Sequence, residues 1–474
     1  MVDYQKLSFK CGLEIHQQLS GKKLFCDCPT INSDEKSDIK IERKLRAVAG
    51  ETGEIDIAAK HETQKGKKFI YVSNSEDTCL VEYDESPPLP MNNEALETAL
   101  QISLLLNAQI TNEIQIMRKT VVDGSNTSGF QRTSLVATNG YIETSKGKVN
   151  IPIICLEEEA AQKLKETPDS ITYKLDRLGI PLIEIATSPD IQDAEHAKEV
   201  ASKLGMILRS TELCKRGIGT IRQDLNMSIK NGARTEIKGF QDLKSIPKAI
   251  EKEVERQLRI LKQGKKPQQE VRKAEPDFTT SFLRPMPGAA RMYPETDVPP
   301  VRITKHRLNK VKIPELLSER IVKLEKAYNL NPNLARELIK QKVNFKKYTE
   351  QFSKIEPNYL VHILVELPKE IKSRYNLNPE KIKPKELNMV LEHLNTGKIT
   401  KAAVLELFLD ILNGKKLNLN KYKTASTNDL EKEIKSIIKQ KPGLSIGAYM
   451  GIIMSKYKGK VDGKEVMKVL KKHV

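Results

Sequence analysis

Short runs in which apolar and polar residues alternate dominate the first 300 positions of the chain. In Gly12–Gln18, a strand would turn Leu13 and Ile15 one way and Glu14, His16 and Gln18 the other. Glu113-Ile114-Gln115-Ile116 alternates in the same manner and reads as a half-buried strand. In Lys174–Asp190, Ile183 and Ile185 oppose Leu182, Glu184 and Ala186. In Arg216–Ile229, Leu225, Met227 and Ile229 oppose Asp224, Asn226 and Ser228, and Thr235–Lys238 sets Glu236 and Lys238 together ahead of Gly239. Helical spacing appears at about Asn92–Asn107, with a Leu96, Leu100, Leu104 stripe widened by Leu105, and again at Ala194–Ser210 and Glu251–Gly264. Residues 29–80 are polar, and LRAVAGETGEIDIAAK suggests a turn and a short strand. Several strands, each apolar on one side and chemically equipped on the other, predict an antiparallel sheet with a helix-packed back and a reactive front.

The reactive positions carry competing readings. Glu14 and His16, two apart on one face, suit a hard or borderline divalent ion, or simply an exposed strand face. Glu184 stands alone in an apolar strand, which is costly without a metal or a partner such as Arg177. Glu157, Glu158 and Glu159 follow an apolar run and suit either a cation site or the acidic first turn of a helix. In Arg118–Arg132, the small residues Asp123–Gly129 are bracketed by Arg118, Lys119 and Arg132. That is a loop able to present N–H groups, hydroxyls and cations to an anion, or an ordinary Gly/Ser/Asn turn. Cys26, Cys28 and Cys79 could give zinc three thiolates, but no fourth ligand is evident, so reduced thiols are the expectation. No GxxxxGK[ST] loop, kinase HRD or GxSxG elbow is present, which leaves phosphoryl chemistry to metal-bound phosphates.

Composition narrows the class. At 474 residues, two to four domains are expected. No apolar run approaches the roughly 20 residues of a membrane helix, and MVDYQKLSFK lacks a signal-peptide core, so a cytoplasmic protein is expected. A formal net charge of +18 favours a polyanionic partner, RNA foremost, with solubility as the competing explanation. Six scattered cysteines suggest no disulfide framework, and the absence of Trp argues against base-stacking platforms.

GLEIHQQL, KLFCDCP, RKTVVDGSNTSGFQRT, LEEEAA, LDRLGIPLIEIATSPD, RGIGTIRQDLNMSI and EIKGFQ together resemble the GatB/GatE transamidase family. DGSNTSGFQRT and RMYPETD are similar to its archaeal E branch. The matching blocks run in order from about residue 8 to 300 and, more weakly, to the C-terminus. The resemblance implies an α+β architecture: an antiparallel-sheet cradle over 1–303, a helical domain over 304–416 and a small helical tRNA-binding tail over 417–474. It implies a ligase that uses ATP and Mg²⁺ to phosphorylate the γ-carboxyl of glutamate on misacylated tRNA(Gln). Ammonia from an asparaginase-like amidase partner, the D subunit, then displaces phosphate after crossing a tunnel between the two proteins.

By motif, Glu14, His16, Glu157 and Glu184 would be catalytic and hold the metal. Lys119, Ser125, Asn126 and Arg132 would approach phosphates on grounds of residue chemistry, with Asp224 and Asn226 beside the nucleotide. Family members of the E branch carry an inserted domain, similar to part of bacterial-type aspartyl-tRNA synthetase, before the PETD block. Here only Lys265–Ser281 separates the preceding helix from FLRPMPGAARMYPETDVPP, so the insertion is expected to be absent.

Beyond Thr304 the chain is Lys-rich, with helices expected at Pro314–Ala327, Pro332–Gln341 and Thr400–Leu412, joints at Asn329–Asn333 and Asn376–Pro379, and a linker at Leu417–Asp429. Lys435, Lys439, Lys441, Lys456, Lys458 and Lys460 cluster in the tail, as phosphate contacts or as a solvated face. Two other readings stay open: a bacterial-type B subunit that also acts on Asp-tRNA(Asn), and a non-catalytic tRNA-binding scaffold.

Overall fold

A computed structural model describes residues 2–31, 37–49, 53–55, 57–240, 242–286, 292–422, 427–457, 461 and 463–473. It divides into two compact units, Met1–Leu316 and Leu317–Val474.

The first unit is built on an 11-stranded sheet. Across it run Thr280–Pro285, Glu270–Ala274, Thr235–Phe240, Ile221–Ser228, Lys10–Gln18, Pro181–Ala186, Gly147–Glu158, Phe130–Thr144, Ile116–Thr120 and Met292–Pro294, with Gln109–Ile110 also paired to Phe130–Thr144. Every pairing in it is antiparallel except that of Thr235–Phe240 with Glu270–Ala274. The apolar sides predicted from alternation all turn one way. Leu13, Ile15, Ile183, Ile185, Leu225 and Met227 are buried in one core with residues of the helices Asn93–Leu105, Ala194–Ser210 and Ser245–Lys262. Asn92 caps the first of these helices by accepting from the N–H groups of Glu94 and Ala95, and Asp193 caps the second through His196. The third begins earlier than the spacing suggests, with Pro247 in its first turn, where a missing N–H breaks no helical bond.

Three local expectations are corrected. Glu113–Ile116 is not one strand: Glu113–Ile114 pairs with Val301–Arg302, while Ile116–Thr120 joins the main sheet. Ile114 and Ile116 both reach the core from either side of that break. The three glutamates start no helix, because ladder bonds to Pro181–Ala186 carry the strand through Glu158 and Glu159 N–H then donates to Ile180 O. LRAVAGETGEIDIAAK holds no strand among its described residues, and its last part opens the helix Ile57–Gln64. Nearby, Ile39–Arg43, Lys68–Ser73, Ser170–Lys174 and Gln162–Glu166 form a separate four-stranded sheet around Phe69, Tyr71, Ile171 and Tyr173.

The second unit is helical. Leu317–Tyr328, Pro332–Lys340 and Lys401–Leu412 correspond to the three expected helices, and Asn329 and Asn376 turn the chain between helices with φ of 50° and 53°. One apolar core gathers Leu338, Phe345, Leu360, Val365 and Leu407; another gathers Leu430, Ile434, Ile453, Val466 and Leu470. Between them, Leu419–Tyr422 forms a short 3₁₀ turn, and residues 423–426 of the expected linker lie outside the described residues. Lys458 and Lys460 lie outside them too. Lys435 pairs with Glu431 at 3.1 Å, and Lys456 pairs with Glu433. No helix of the described residues is long and apolar enough to cross a membrane.

Candidate active site

The central strand Lys10–Gln18 sets the site. Its front face carries Glu14 and His16; Glu14 is flanked by Ala186 and Asp224, and His16 by Glu184 and Arg222. One strand further on, Glu157 lies beside Leu182 and Thr133. These side chains border a cavity of about 540 Å³ into which Lys119, Ser125, Glu159, Arg177, Arg222, Asp224, Lys238 and Arg284 also turn. His16 Nε2 stands 3.4 Å from Glu14 Oε1 and 3.5 Å from Glu184 Oε2. The three donor atoms lie within 4.8 Å of one another. Lys119 Nζ lies 2.5 Å from Glu157 Oε1 and 3.7 Å from Glu184 Oε2, and Glu157 also accepts from Thr133 Oγ1 at 2.5 Å and Gln131 Nε2 at 3.0 Å.

Burial and the neighbouring Glu184 charge push the Glu14 carboxyl up to about 7. Burial alone would lower the His16 pKa, but the Glu184 hydrogen bond and the charges of Glu184 and Glu14 hold it at about 9. Burial also works against Glu184 as an anion, and Lys119 and His16 overcome it, keeping that carboxyl well below the usual range. Burial and the Glu184 charge raise Glu157. The corner therefore concentrates more negative charge than its own cations settle. Two carboxylate oxygens and an imidazole nitrogen at this separation fit a single divalent cation. Such an ion competes with protons on Glu14 and His16, so its affinity rises with pH.

The structure brings Glu14, His16, Glu157, Glu184, Lys119, Ser125 and Asp224 to this cavity. It does not bring Asn126, Arg132 or Asn226 there. Arg132 belongs to the opposite face of its strand from Gln131 and Thr133. Buried, it pairs through Nε with Glu295 Oε2 at 2.7 Å and through Nη1 with Glu158 Oε1 at 3.4 Å. Asn126 is buried beside it, and Asn226 borders a different cavity.

The loop between Lys119 and Arg132 rests on the small sheet. Tyr71 and Tyr173 hydroxyls donate to the Gly124 and Asp123 carbonyls, each at 2.8 Å. Gly124, at φ 86°, lies so close to Phe69 that a Cβ there would sit 2.1 Å from the ring. Ser125 N–H and Oγ both donate to Asp123 Oδ1, so the loop's own carboxylate uses groups expected to meet an anion. Arg177 does not pair with Glu184. Its Nε and Nη2 donate to the Ala160 and Ala161 carbonyls, each at 2.8 Å. Arg222, which shares a strand face with Asp224, is a cavity residue the alternation could have singled out; it holds Glu159 at 2.8 Å.

A second cluster lies apart from the front face. Cys26, Cys28 and Cys79 converge with Glu82, the donor that sequence spacing did not reveal, all within 4.8 Å. Cys26 Sγ is 2.8 Å from Glu82 Oε1, and Cys79 N–H donates to Glu82 Oε2 at 2.8 Å. The fully buried Lys23 stands 3.4 Å from the same carboxylate. The hydrogen bond from Cys26 lowers the Cys28 thiol to about 7, and the same contact raises Cys26. Three sulfurs and a carboxylate at this spacing offer four donors to a single metal ion.

Residues 9–309 match the GatB/GatE catalytic domain. Among curated proteins, the chain is similar to the glutamyl-tRNA(Gln) amidotransferase E subunit of Methanocaldococcus jannaschii, 36% identical with 99% of each chain covered. It is also similar to that of Archaeoglobus fulgidus, 36% identical with 100% of this chain and 99% of the relative covered. For Methanosarcina barkeri the identity is 35%, with 100% and 98% covered. The alignment with the M. jannaschii protein spans 624 positions, 150 more than the 474 residues of this chain, so at least that many fall opposite gaps here.

Proposed function

The chain belongs to the GatB/GatE family, and from that premise we propose that it converts misacylated Glu-tRNA(Gln) to Gln-tRNA(Gln) as the kinase and transamidase component of an ATP-dependent amidotransferase. The observation that carries this reading is the Glu14–His16–Glu184 corner beside the Lys119–Glu157 pair, in a cavity bordered by Arg177, Arg222, Lys238 and Arg284. When bound at Glu14, His16 and Glu184, Mg²⁺ supplies neutralisation of charge on the transferring phosphate.

The cationic side chains match a triphosphate, and Lys119 stands where charge from both the phosphate and the glutamyl carboxylate would gather. The glutamyl γ-carboxylate oxygen attacks the γ-phosphorus of ATP, ADP leaves, and an acyl phosphate remains. Ammonia then adds to the acyl carbon, phosphate departs, and the surplus nitrogen proton needs an acceptor. Glu157, whose carboxyl is raised by burial and by Glu184, is suited to take it. The ammonia comes from an asparaginase-like amidase, the D subunit. The tail lysines, Lys435, Lys439 and Lys441 among them, contact tRNA phosphates.

The test is Gln-tRNA formation by the full chain with ATP, Mg²⁺, ammonium and Glu-tRNA(Gln), alone and with the amidase partner, against Glu184→Gln. Product from the wild type and none from the variant is the expected result. Failure of the wild type in both settings would leave the tRNA-binding scaffold as the better description.

The thiol cluster carries its own expectation. We propose that Cys26, Cys28, Cys79 and Glu82 hold one zinc ion, with Lys23 offsetting the surplus negative charge. Protein purified without chelator should contain zinc near one equivalent by emission spectroscopy, and Glu82→Ala should lower that content. Metal-free protein that takes up no zinc would end this assignment.

A further inference from the structure

The cavity beside the Glu14–His16–Glu184 corner is lined by acids as well as cations, and every lysine and arginine in it but one is already engaged. Lys119 Nζ lies 2.5 Å from Glu157 Oε1, and Arg222 Nη2 lies 2.8 Å from Glu159 Oε1. Lys238 Nζ lies 2.6 Å from both Asp224 Oδ2 and Glu236 Oε1, and Lys163 Nζ lies 2.8 Å from Glu166 Oε2. Arg177 donates to the Ala160 and Ala161 carbonyls. Arg284 is the exception. Half-buried at the cavity, it has no hydrogen bond or ion pair among the described residues.

Arg284 reaches the cavity through an irregularity in its strand. Along Thr280–Pro285, Phe282 lies opposite Arg272 and Arg284 lies opposite Val271, so Leu283 is one residue more than the neighbouring strand can pair. Arg272 turns to the helix-packed back, where its Nε lies 3.8 Å from Glu253 Oε2 of Ser245–Lys262. Val271 lies opposite Glu236, two residues from the cavity-facing Lys238, and so belongs to the front. In a regular strand Arg284 would follow Phe282 to the back; the bulge at Leu283 turns it into the cavity instead.

Resting on the function proposed above, we propose that Arg284 is a catalytic residue that holds the phosphoryl group while it passes from ATP to the glutamyl carboxylate. In that step the bond from the carboxylate oxygen to the γ-phosphorus forms as the bond to the β,γ-bridging oxygen breaks, and ADP leaves with the electron pair. A guanidinium meets two oxygens around the phosphorus in its own plane and gives up no proton. Arg284 breaks no protein contact to do so, whereas each paired cation must first leave its carboxylate. A bulge and an inward charge also shield a sheet edge from other chains. Loss of a shield shows in self-association; loss of the catalytic contact shows in kcat.

The test uses the full chain with its amidase partner, ATP, Mg²⁺ and Glu-tRNA(Gln), and follows ADP formation. Arg284→Gln should lower kcat by about 10²–10³-fold and leave KM for ATP within about threefold, with a wild-type melting temperature. Arg284→Ala should regain rate when guanidinium is added below denaturing concentrations, and not when sodium is added at equal ionic strength. A wild-type kcat in Arg284→Gln, with or without new self-association, overturns the inference while the proposed reaction stands. So does a loss confined to KM for ATP, which would make Arg284 a ground-state contact. Should Arg284→Gln melt early, the guanidinium experiment decides, and no recovery there overturns the inference. A wild-type complex that forms no ADP removes the reading and this inference together.

Discussion

Replacing Lys119 with methionine is expected to slow Gln-tRNA formation by about 10²–10³-fold while the protein remains folded. Methionine keeps the length and apolar body of the lysine stem but removes the ammonium that lies within 4 Å of both Glu157 and Glu184. After burial, the Lys119 charge is the foremost influence on Glu184, and it acts to keep that carboxyl ionised. Without it, two adjacent buried acids face each other and retain a proton to higher pH. The loss is therefore electrostatic twice over: the cation shared by Glu157 and Glu184 no longer meets the developing charge, and the Glu14–His16–Glu184 corner is partly protonated. The acid limb of the pH–rate profile should move upward in the variant, a signature that simple loss of packing does not produce. A Lys119→Met protein with the wild-type rate and profile would remove Lys119 from the mechanism.

The second large effect concerns stability. Glu295→Ala should destabilise the unit Met1–Leu316 by about 3–5 kcal/mol, the range for breaking a buried ion pair from one side. The Glu295 side chain is fully buried and receives Arg118 Nη2 at 2.5 Å, Arg132 Nε at 2.7 Å and the Asp297 N–H at 2.8 Å. Both guanidinium groups also lie over the Phe130 ring, at 4.6 and 5.2 Å, so neither can swing to water without giving up that contact. Burial works against the Glu295 anion, and Arg118, the Asp297 N–H and Arg132 overcome it, bringing its pKa down to about 2. The folded value lies below the ordinary carboxylate value of about 4.3. Its contribution is therefore complete above that pH and is lost as pH falls through about 2. Hydrogen exchange in Ile116–Thr120 and Met292–Pro294, which Glu295 ties together, reads the effect directly. Protection equal to wild type in those strands would show the network to be dispensable.

Alternation made the front of the sheet legible wherever a strand had a clean apolar side. Leu13 and Ile15, then Ile183 and Ile185, then Leu225 and Met227 fixed which neighbours had to face the cavity, and Glu14, His16, Glu184 and Asp224 followed. The same rule, applied within Phe130–Thr144, separates Arg132 from Gln131 and Thr133. The small residues Asp123–Gly129 run directly into that strand and mask where it begins. Glu82 was illegible for a different reason. It joins Cys26 and Cys28 through a return of the chain more than fifty residues later, and nothing in local periodicity reports such a closure. The three glutamates showed the limit of local preference: acids after an apolar run suit a helix start, but pairing with Pro181–Ala186 decided their state. They consequently part ways, with Glu157 and Glu159 bordering the cavity and Glu158 turned to Arg132.

The strand Lys10–Gln18, made first, stands in the middle of the sheet between Pro181–Ala186 and Ile221–Ser228. A ribosome adding roughly 5–20 residues per second must run on for about 10–40 s before both neighbours exist. Until then a strand with one apolar face waits with at least one edge unpaired, which invites association with other chains. The Glu14–His16–Glu184 corner cannot form on a product that ends before Pro181–Ala186. Chains that end earlier lack the corner by topology alone, and the early strand is the place where chaperone binding during synthesis should be sought.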